Sequence, residues 1–333
     1  MLPPKNFIGT AHKGYQQMYI PTYDDMLTAH ARIKPYIHRT PVRTSNFLNE
    51  LTGAQLFFKC ENFQEPGAFK VRGASNAVFG LDDEQAKMGV ATHSSGNHAS
   101  CLSYAANRRG IPCNVVMPST APQAKKDTVR RYGGQITECE PSTTSREETF
   151  AKVQAATGGN FVHPYNDPRV IAGQGTCAKE FIEQTDGLDI VMAPIGGGGM
   201  ISGTCLTLSN LAPEVQIIAA EPEQADDAYR SFKAGYIIAD DAPKTIADGL
   251  LVPLKDLTWH FVSKHVTDIL TASEEDIIDA MKLTWKHLRI VMEASSAVPL
   301  ATILKNKDRF AGKRVGIIIT GGNVDLDLLP WLK

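Results

Sequence analysis

Along this chain, short apolar runs rich in β-branched residues alternate with longer stretches whose apolar positions recur at helical spacing. The runs at 56–60, 90–92, 114–117, 135–139, 161–162, 190–193, 215–219 and 315–320 read as strands. The stretches at 23–37, 44–51, 68–79, 97–109, 121–132, 145–156, 170–184 and 201–211 read as helices. Strand alternating with helix implies βαβ units, and this many of them predict an α/β fold with two doubly wound, mostly parallel sheets. In such folds ligands lie outside the carboxyl ends of the strands, so the loops there are where chemistry is expected.

Five segments stand out at those positions. Lys70 follows the apolar run 56–60 and a Pro66-Gly67 turn signal, and falls in the first turn of the helix predicted at 68–79. The positive end of a helix disfavours a second positive charge and lowers a lysine's pKa, which suits an amine nucleophile; the competing reading is a solvated lysine on a helix face. His93-Ser94-Ser95-Gly96-Asn97-His98 lies between a strand and a helix. Its free backbone N–H groups suit a carboxylate or another anion, although a plain N-cap would use the same residue types. Gly196-Gly197-Gly198-Gly199 joins the strand at 190–193 to the next helix, where bare backbone and the helix dipole suit a phosphate more than a merely tight turn. The loop Glu221-Pro222-Glu223-Gln224-Ala225-Asp226-Asp227 sets carboxylates among carbonyls, as a hard cation requires and as many solvated loops also do. Thr320 ends the very apolar run from Val315, which reads as a central buried strand, and offers one hydroxyl at the sheet's edge.

The tetraglycine loop also admits a rival. Glu221 follows it by about twenty residues, where a dinucleotide-binding protein places the acid that holds a ribose hydroxyl, so an NAD-dependent dehydrogenase competes at this point. Gly173-Gln174-Gly175 is a partial echo but sits inside a helical pattern, where it reads as packing.

Composition narrows the partners. The 333 residues allow about two domains, and 43% hydrophobic residues fill ordinary cores. A net charge of -2 without a Lys/Arg-rich run argues against nucleic acid. No apolar run reaches membrane-span length, and the first ten residues lack a signal peptide's apolar core, so a soluble, cytoplasmic protein is expected. Cys60, Cys101, Cys113, Cys139, Cys177 and Cys205 have neither C-x-x-C spacing nor a nearby histidine pair, and read as reduced, buried thiols.

Taken in order, the segments P-G-A-F-K-V-R-G-A, S-S-G-N-H, H-P-Y-N-D-P-R-V-I-A-G-Q-G-T, G-G-G-G-M, E-P-E-Q-A-D-D-A-Y, T-I-A-D-G-L and T-G-G-N-V-D-L resemble the fold-type II pyridoxal-phosphate enzymes, in the serine/threonine dehydratase and serine racemase branch. The resemblance covers nearly the whole chain. It implies the tryptophan synthase β-like architecture, with a large cofactor-binding domain of residues 1–86 and 167–333 and a small substrate-gating domain of 87–166. It implies that Lys70 carries pyridoxal 5'-phosphate as a Schiff base, that Phe69 lies against the cofactor ring and Asn97 bonds its phenolic oxygen. By the same resemblance Gly196, Gly197, Gly198 and Gly199 hold the phosphate, and Thr320 meets the pyridine nitrogen where the family usually has Ser or Cys. A hydroxyl does not hold that nitrogen protonated, which favours prompt expulsion of a β-substituent. Ser94, Ser95, Gly96, Asn97 and His98 would take the substrate carboxylate. Glu221, the Ala225 carbonyl and Asp227 fall on the family's positions for Mg²⁺, Mn²⁺ or Ca²⁺.

The activity so implied is α,β-elimination of a β-hydroxy amino acid (L-serine, L-threonine or 3-hydroxyaspartate) to a 2-oxo acid and ammonia, by a homodimer. Serine racemisation is the alternative, with Lys70 as base on one face and Ser95 as acid on the other. Several residues depart from the family pattern. Glu65-Pro66 and Ala68 replace the usual Lys/Thr-Thr-Gly-Ser, and Glu293-Ala294-Ser295-Ser296-Ala297 replaces E-P-S/T-G/A. Ser100 stands where animal serine racemases have an ATP-binding glutamine, so nucleotide activation is not expected. Tyr165 is closer to dehydratases, where an aromatic is common, than to racemases with asparagine. Little chain follows T-G-G-N-V-D-L, so feedback control through a C-terminal regulatory domain is not expected.

Overall fold

The computed structural model describes residues 18–121, 123–239 and 243–332. The first ten residues, read above for a signal peptide, lie outside the described residues, as does residue 122 of the helix expected at 121–132. Ten strands are described: β1 (Val42–Arg43), β2 (Gln55–Cys60), β3 (Val90–His93), β4 (Cys113–Pro118), β5 (Gln135–Cys139), β6 (Asn160–Phe161), β7 (Ile190–Pro194), β8 (Gln216–Pro222), β9 (Asp268–Ala272) and β10 (Arg314–Ile319). They form a six-stranded sheet in the order β1-β2-β10-β7-β8-β9 and a four-stranded sheet in the order β5-β4-β3-β6. Every pairing is parallel except the short β1–β2 pair.

The strand β10 lies between β2 and β7 and is apolar because both its faces are covered: Val315, Ile317, Ile318 and Ile319 are fully buried. The expected alternation of strand and helix holds as far as β8, while the helices Asp227–Ala234, Asp256–His265, Glu274–Leu288 and Ala294–Lys305 between β8 and β10 are additional to those read from the pattern. Periodicity overran the first helix, which stops at Ile33 rather than 37, and it missed β1, too short to show a pattern, and β9, whose burial is irregular.

The helix Lys70–Phe79 packs against the helices Asn97–Arg109 and Pro168–Glu183, which join it to both sheets. Gly173 is the contact that lets two of these backbones meet: a Cβ there would lie 2.6 Å from the Gly73 Cα. Gly173 and Gly175 thus serve helix packing, as their place in the pattern suggested. All six cysteines are buried and free. Among the described residues no helix is long and apolar enough to cross a membrane.

Candidate active site

Lys70 opens its helix after a turn in which Gly67 takes φ +73° and its amide donates to the Gln64 carbonyl at 2.8 Å. A Cβ on Gly67 would fall 2.3 Å from the Asn323 side-chain oxygen, so this turn and the T-G-G-N segment are fitted to one another. The Phe69 amide donates to the Thr320 carbonyl at 2.9 Å, which ties the start of the lysine helix to the carboxyl end of the central strand. The Lys70 Nζ donates to the Pro164 carbonyl at 2.8 Å and lies 5.1 Å from the Phe69 ring centroid. Burial lowers its pKa to about 8, against the opposing pull of Cys101 and Glu293. The sequence argument anticipated the direction; desolvation, rather than the helix dipole, is the cause.

The other predicted groups gather around this amine. Asn97 begins the helix Asn97–Arg109, and its amide is gripped from two sides. Its Nδ2 donates to both Glu293 carboxyl oxygens at 3.0 Å, and its Oδ1 accepts from Asn323 Nδ2 at 2.9 Å. Burial pushes the Glu293 carboxyl up to about 7, although the Asn97 bond opposes this. Ser94, Ser95 and Gly96 are half-buried in the loop between β3 and that helix, where the first helical amides have no intrahelical acceptor. The His98 Nε2 lies 3.1 Å from the Val162 carbonyl, which can only accept, so this nitrogen carries the ring proton.

The tetraglycine loop leaves β7 and enters the helix Gly199–Leu211, with Gly198 at φ +83°. Its backbone is closely wrapped: a Cβ on Gly197 would lie 2.7 Å from carbons of the Tyr165 ring, and one on Gly196 2.7 Å from the Leu250 Cα. Bare amides at a helix start suit an anion, and Tyr165, against whose ring Gly197 packs, adjoins Pro164, whose carbonyl accepts from Lys70. Thr320 is buried at the end of β10, with its hydroxyl 2.9 Å from the Ser296 hydroxyl.

The cation loop follows β8, and the charge of its Asp227 reaches Tyr165, whose ring covers Gly197. Glu221 is fully buried, and its two carboxyl oxygens accept from the amides of Ala228 and Tyr229 at 3.0 and 2.7 Å. That arrangement turns the acid toward its own following helix and away from any ribose above the tetraglycine loop, which removes the physical basis of the dinucleotide reading. Burial first, and then the negative charges of Asp227 and Asp226, push the Glu221 carboxyl well above its usual range despite those two bonds. Ala225 and Asp227 are buried beside it. Among the described residues there is no group of three or more His, Cys, Asp and Glu side chains that could hold a metal, so a site here would draw on the Ala225 carbonyl.

Sequence reasoning missed three features. The Pro164 carbonyl that holds Lys70 carries no side-chain signal. The grip of Glu293 and Asn323 on Asn97 comes from segments more than 190 residues away. The third is a fully buried ionic network two residues beyond Lys70. Arg72 donates to Glu61 at 2.7 and 2.8 Å and to Glu180 at 2.9 and 2.7 Å, while Lys59 donates to Glu180 at 2.8 Å. Its signal was available: Lys59 interrupts an apolar strand, and a charge buried there needs a partner.

A mostly parallel sheet whose central strand ends in a buried hydroxyl, with a buried low-pKa lysine and a tetraglycine loop at helix starts after its strands, is the architecture of an α/β enzyme. The family described as "Pyridoxal-phosphate dependent enzyme" matches residues 33–321, and the chain belongs to it. It is 85% identical over 314 residues to the beta-hydroxyaspartate dehydratase of Paracoccus denitrificans, covering 94% of this chain and 100% of that one. It is 52% identical to a serine racemase of Arabidopsis thaliana, over 90% of this chain and 92% of the relative. Among solved structures, maize serine racemase superposes with a TM-score of 0.91 at 45% identity, over 94% of this chain and 97% of that one. Family membership excludes the dehydrogenase reading.

Proposed function

We propose that this chain is a pyridoxal-phosphate-dependent dehydratase that converts 3-hydroxyaspartate to its 2-oxo acid and ammonia. The observation that carries the reaction class is the buried Lys70 amine, its pKa lowered and its Nζ held by the Pro164 carbonyl; the 85% identical dehydratase supports the substrate. Lys70, Asn97, Gly196 to Gly199 and Thr320 would hold the cofactor, which when bound supplies an aldehyde for the substrate amine and a ring that draws electron density from Cα. The Lys70 amine, whose pKa burial lowers to about 8, would accept the Cα proton. The amides from Ser94 to His98 orient the substrate's α-carboxylate. The β-hydroxyl gains a proton and leaves as water, and one water is consumed in the final hydrolysis, so the net products are a 2-oxo acid and ammonia.

A second carboxylate on the substrate needs a cation, and Arg146 is the candidate, since its charge reaches His93, His163 and Tyr165. Burial and then His93, Lys255 and Lys70 drive the His163 pKa down to about 3. Arg146 also acts on His93 and on Tyr165, whose ring covers Gly197. Arg146 is half-buried beside a cavity of about 170 Å³ that includes Thr120, Ser142 and Thr143, and among the described residues it makes no ion pair. Its Nε is buried without a hydrogen-bond partner. In Arg146→Gln, kcat/KM for 3-hydroxyaspartate is expected to fall roughly tenfold to a hundredfold, the worth of a charge-assisted hydrogen bond, while that for L-serine changes little. A panel of β-hydroxy amino acids, scored for 2-oxo acid, ammonia and D-serine, tests both substrate and reaction. Equal loss on serine and 3-hydroxyaspartate would remove Arg146 from substrate recognition. D-serine exceeding pyruvate from L-serine would favour the racemase reading, for which Ser95 is the candidate second acid and the Arabidopsis relative the support.

The same reading assigns Glu221, the Ala225 carbonyl and Asp227 to a divalent cation, because carboxylates buried with excess negative charge gain most from one. Chelation is expected to lower the melting temperature and Mg²⁺ to restore it, with a gain of about 2.7 kcal/mol at a hundredfold excess over Kd. Glu221→Gln should abolish that response; an unchanged response places the cation elsewhere. Residues 87–166 are assigned to the small domain and 1–86 with 167–333 to the large one, since β3 to β6 pair only among themselves. The assembly is assigned as a homodimer, with exposed Phe63 and Val291, on segments joined by the Asn62–Val291 hydrogen bond, as apolar surface for it.

A further inference from the structure

Two of the departures from the family pattern touch one another. Ser296 stands where the family has Gly or Ala, Thr320 where it has Ser or Cys, and their hydroxyl oxygens are 2.9 Å apart in a fully buried position. We propose that Ser296 is a positioning residue that aims the Thr320 hydroxyl proton at the cofactor's ring nitrogen and so keeps that nitrogen unprotonated. This inference rests on the placement of Thr320 at the ring nitrogen proposed above.

Two hydroxyl protons are available, one on Ser296 and one on Thr320, and each oxygen can also accept. The Ser296 Oγ accepts from the Gly321 amide at 2.8 Å. Its own proton has two acceptors in reach, the Gly321 carbonyl at 2.9 Å and the Thr320 oxygen at 2.9 Å. The Gly321 carbonyl already accepts from the Glu293 amide at 3.0 Å, whereas no other described group donates to the Thr320 oxygen. Donation from Ser296 to Thr320 gives the Thr320 oxygen the donor it otherwise lacks, leaves the Gly321 carbonyl to the Glu293 amide, and leaves the Thr320 proton for the ring nitrogen. The opposite arrangement gives the Thr320 proton to Ser296 and turns only lone pairs toward the ring. That would suit a protonated nitrogen. A chain running from the Gly321 amide through Ser296 to Thr320 polarises each bond in turn, so the terminal donor is strengthened.

The test uses enzyme reconstituted with cofactor labelled with ¹⁵N at the ring nitrogen, read by NMR, together with the cofactor Kd. The wild type is expected to show a neutral, hydrogen-bonded nitrogen. Ser296→Ala should move the resonance toward that of an unbonded pyridine and weaken cofactor binding roughly twofold to tenfold. Ser296→Cys, which keeps a weaker donor, should fall between them, and Thr320→Val should move the resonance furthest. Adding Ser296→Ala to Thr320→Val should change nothing more, because Ser296 acts through Thr320. A protonated nitrogen in the wild type, an unmoved resonance in Ser296→Ala, or fully additive effects in the double variant would each overturn the proposal. An unmoved resonance in Thr320→Val would instead overturn the placement of Thr320 on which it rests.

Discussion

Lys70→Ala is expected to abolish release of 2-oxo acid and to remove the visible absorption of the covalently held cofactor, while the protein stays folded. Loss of the proton-transfer role alone removes roughly 10²–10⁴ in rate, and loss of the covalent anchor adds to it. Lys70→Arg should fail equally, because a guanidinium stays charged and can neither attack an aldehyde nor accept a proton. The expectation for stability follows from linkage. The Lys70 pKa is lowered to about 8 in the folded chain from 10.5, so between those values the unfolded chain binds more protons and folding gains as pH rises. At neutral pH the folded protein instead holds a disfavoured charge, so removing it from the cofactor-free protein should be neutral or stabilising. The same titration makes capture of the cofactor by apoenzyme faster as pH rises through about 8. Undiminished 2-oxo acid release from a folded Lys70→Ala protein would take Lys70 out of the chemistry.

Much of this site was legible because its parts sit at strand ends, where local pattern and chemistry coincide. Lys70, Asn97, Gly196 to Gly199 and Thr320 each follow or precede a run whose periodicity is plain, and the parallel topology converges them. The groups that hold these residues in place were not legible, since each comes from a segment distant in sequence. Glu293 reaches Asn97 across 196 residues, and Ser296 reaches Thr320 from a helix whose start reads only as an unusual E-A-S-S-A. Backbone groups are harder still: the carbonyl of Pro164 could belong to any residue, and only the fold aims it at Lys70. The sequence thus displays the candidate reacting groups, while the groups that hold them in place emerge from packing.

The buried network behind Lys70 should produce the largest loss of stability. Its charges balance as two cations, Lys59 and Arg72, against two acids, Glu61 and Glu180, all within the core. Removing Arg72 leaves the Lys59–Glu180 pair intact and Glu61 with no cation bonded to it, only the more distant pull of Lys59 and the bonds from Thr40 at 2.6 Å and Gln64 at 3.1 Å. Arg72→Met is therefore expected to cost about 3–5 kcal/mol, the penalty for orphaning a buried charge, read as a fall in the denaturant midpoint. The pH dependence identifies the orphan. Burial raises the Glu61 pKa, but the Arg72 guanidinium overrides this and holds it at about 2, below the ordinary 4.5. In the wild type that contribution is fully present above 4.5 and is lost as pH falls through about 2. Without Arg72 burial prevails and the Glu61 pKa rises, so the gap between variant and wild type should narrow as pH falls from 7 toward 4. Adding Glu61→Gln restores neutrality and should recover a large part of the loss, because an amide can still bond Thr40 without a buried charge. If Glu61→Gln instead deepens the loss, Arg72 stabilises the helix start through packing of its stem rather than through charge.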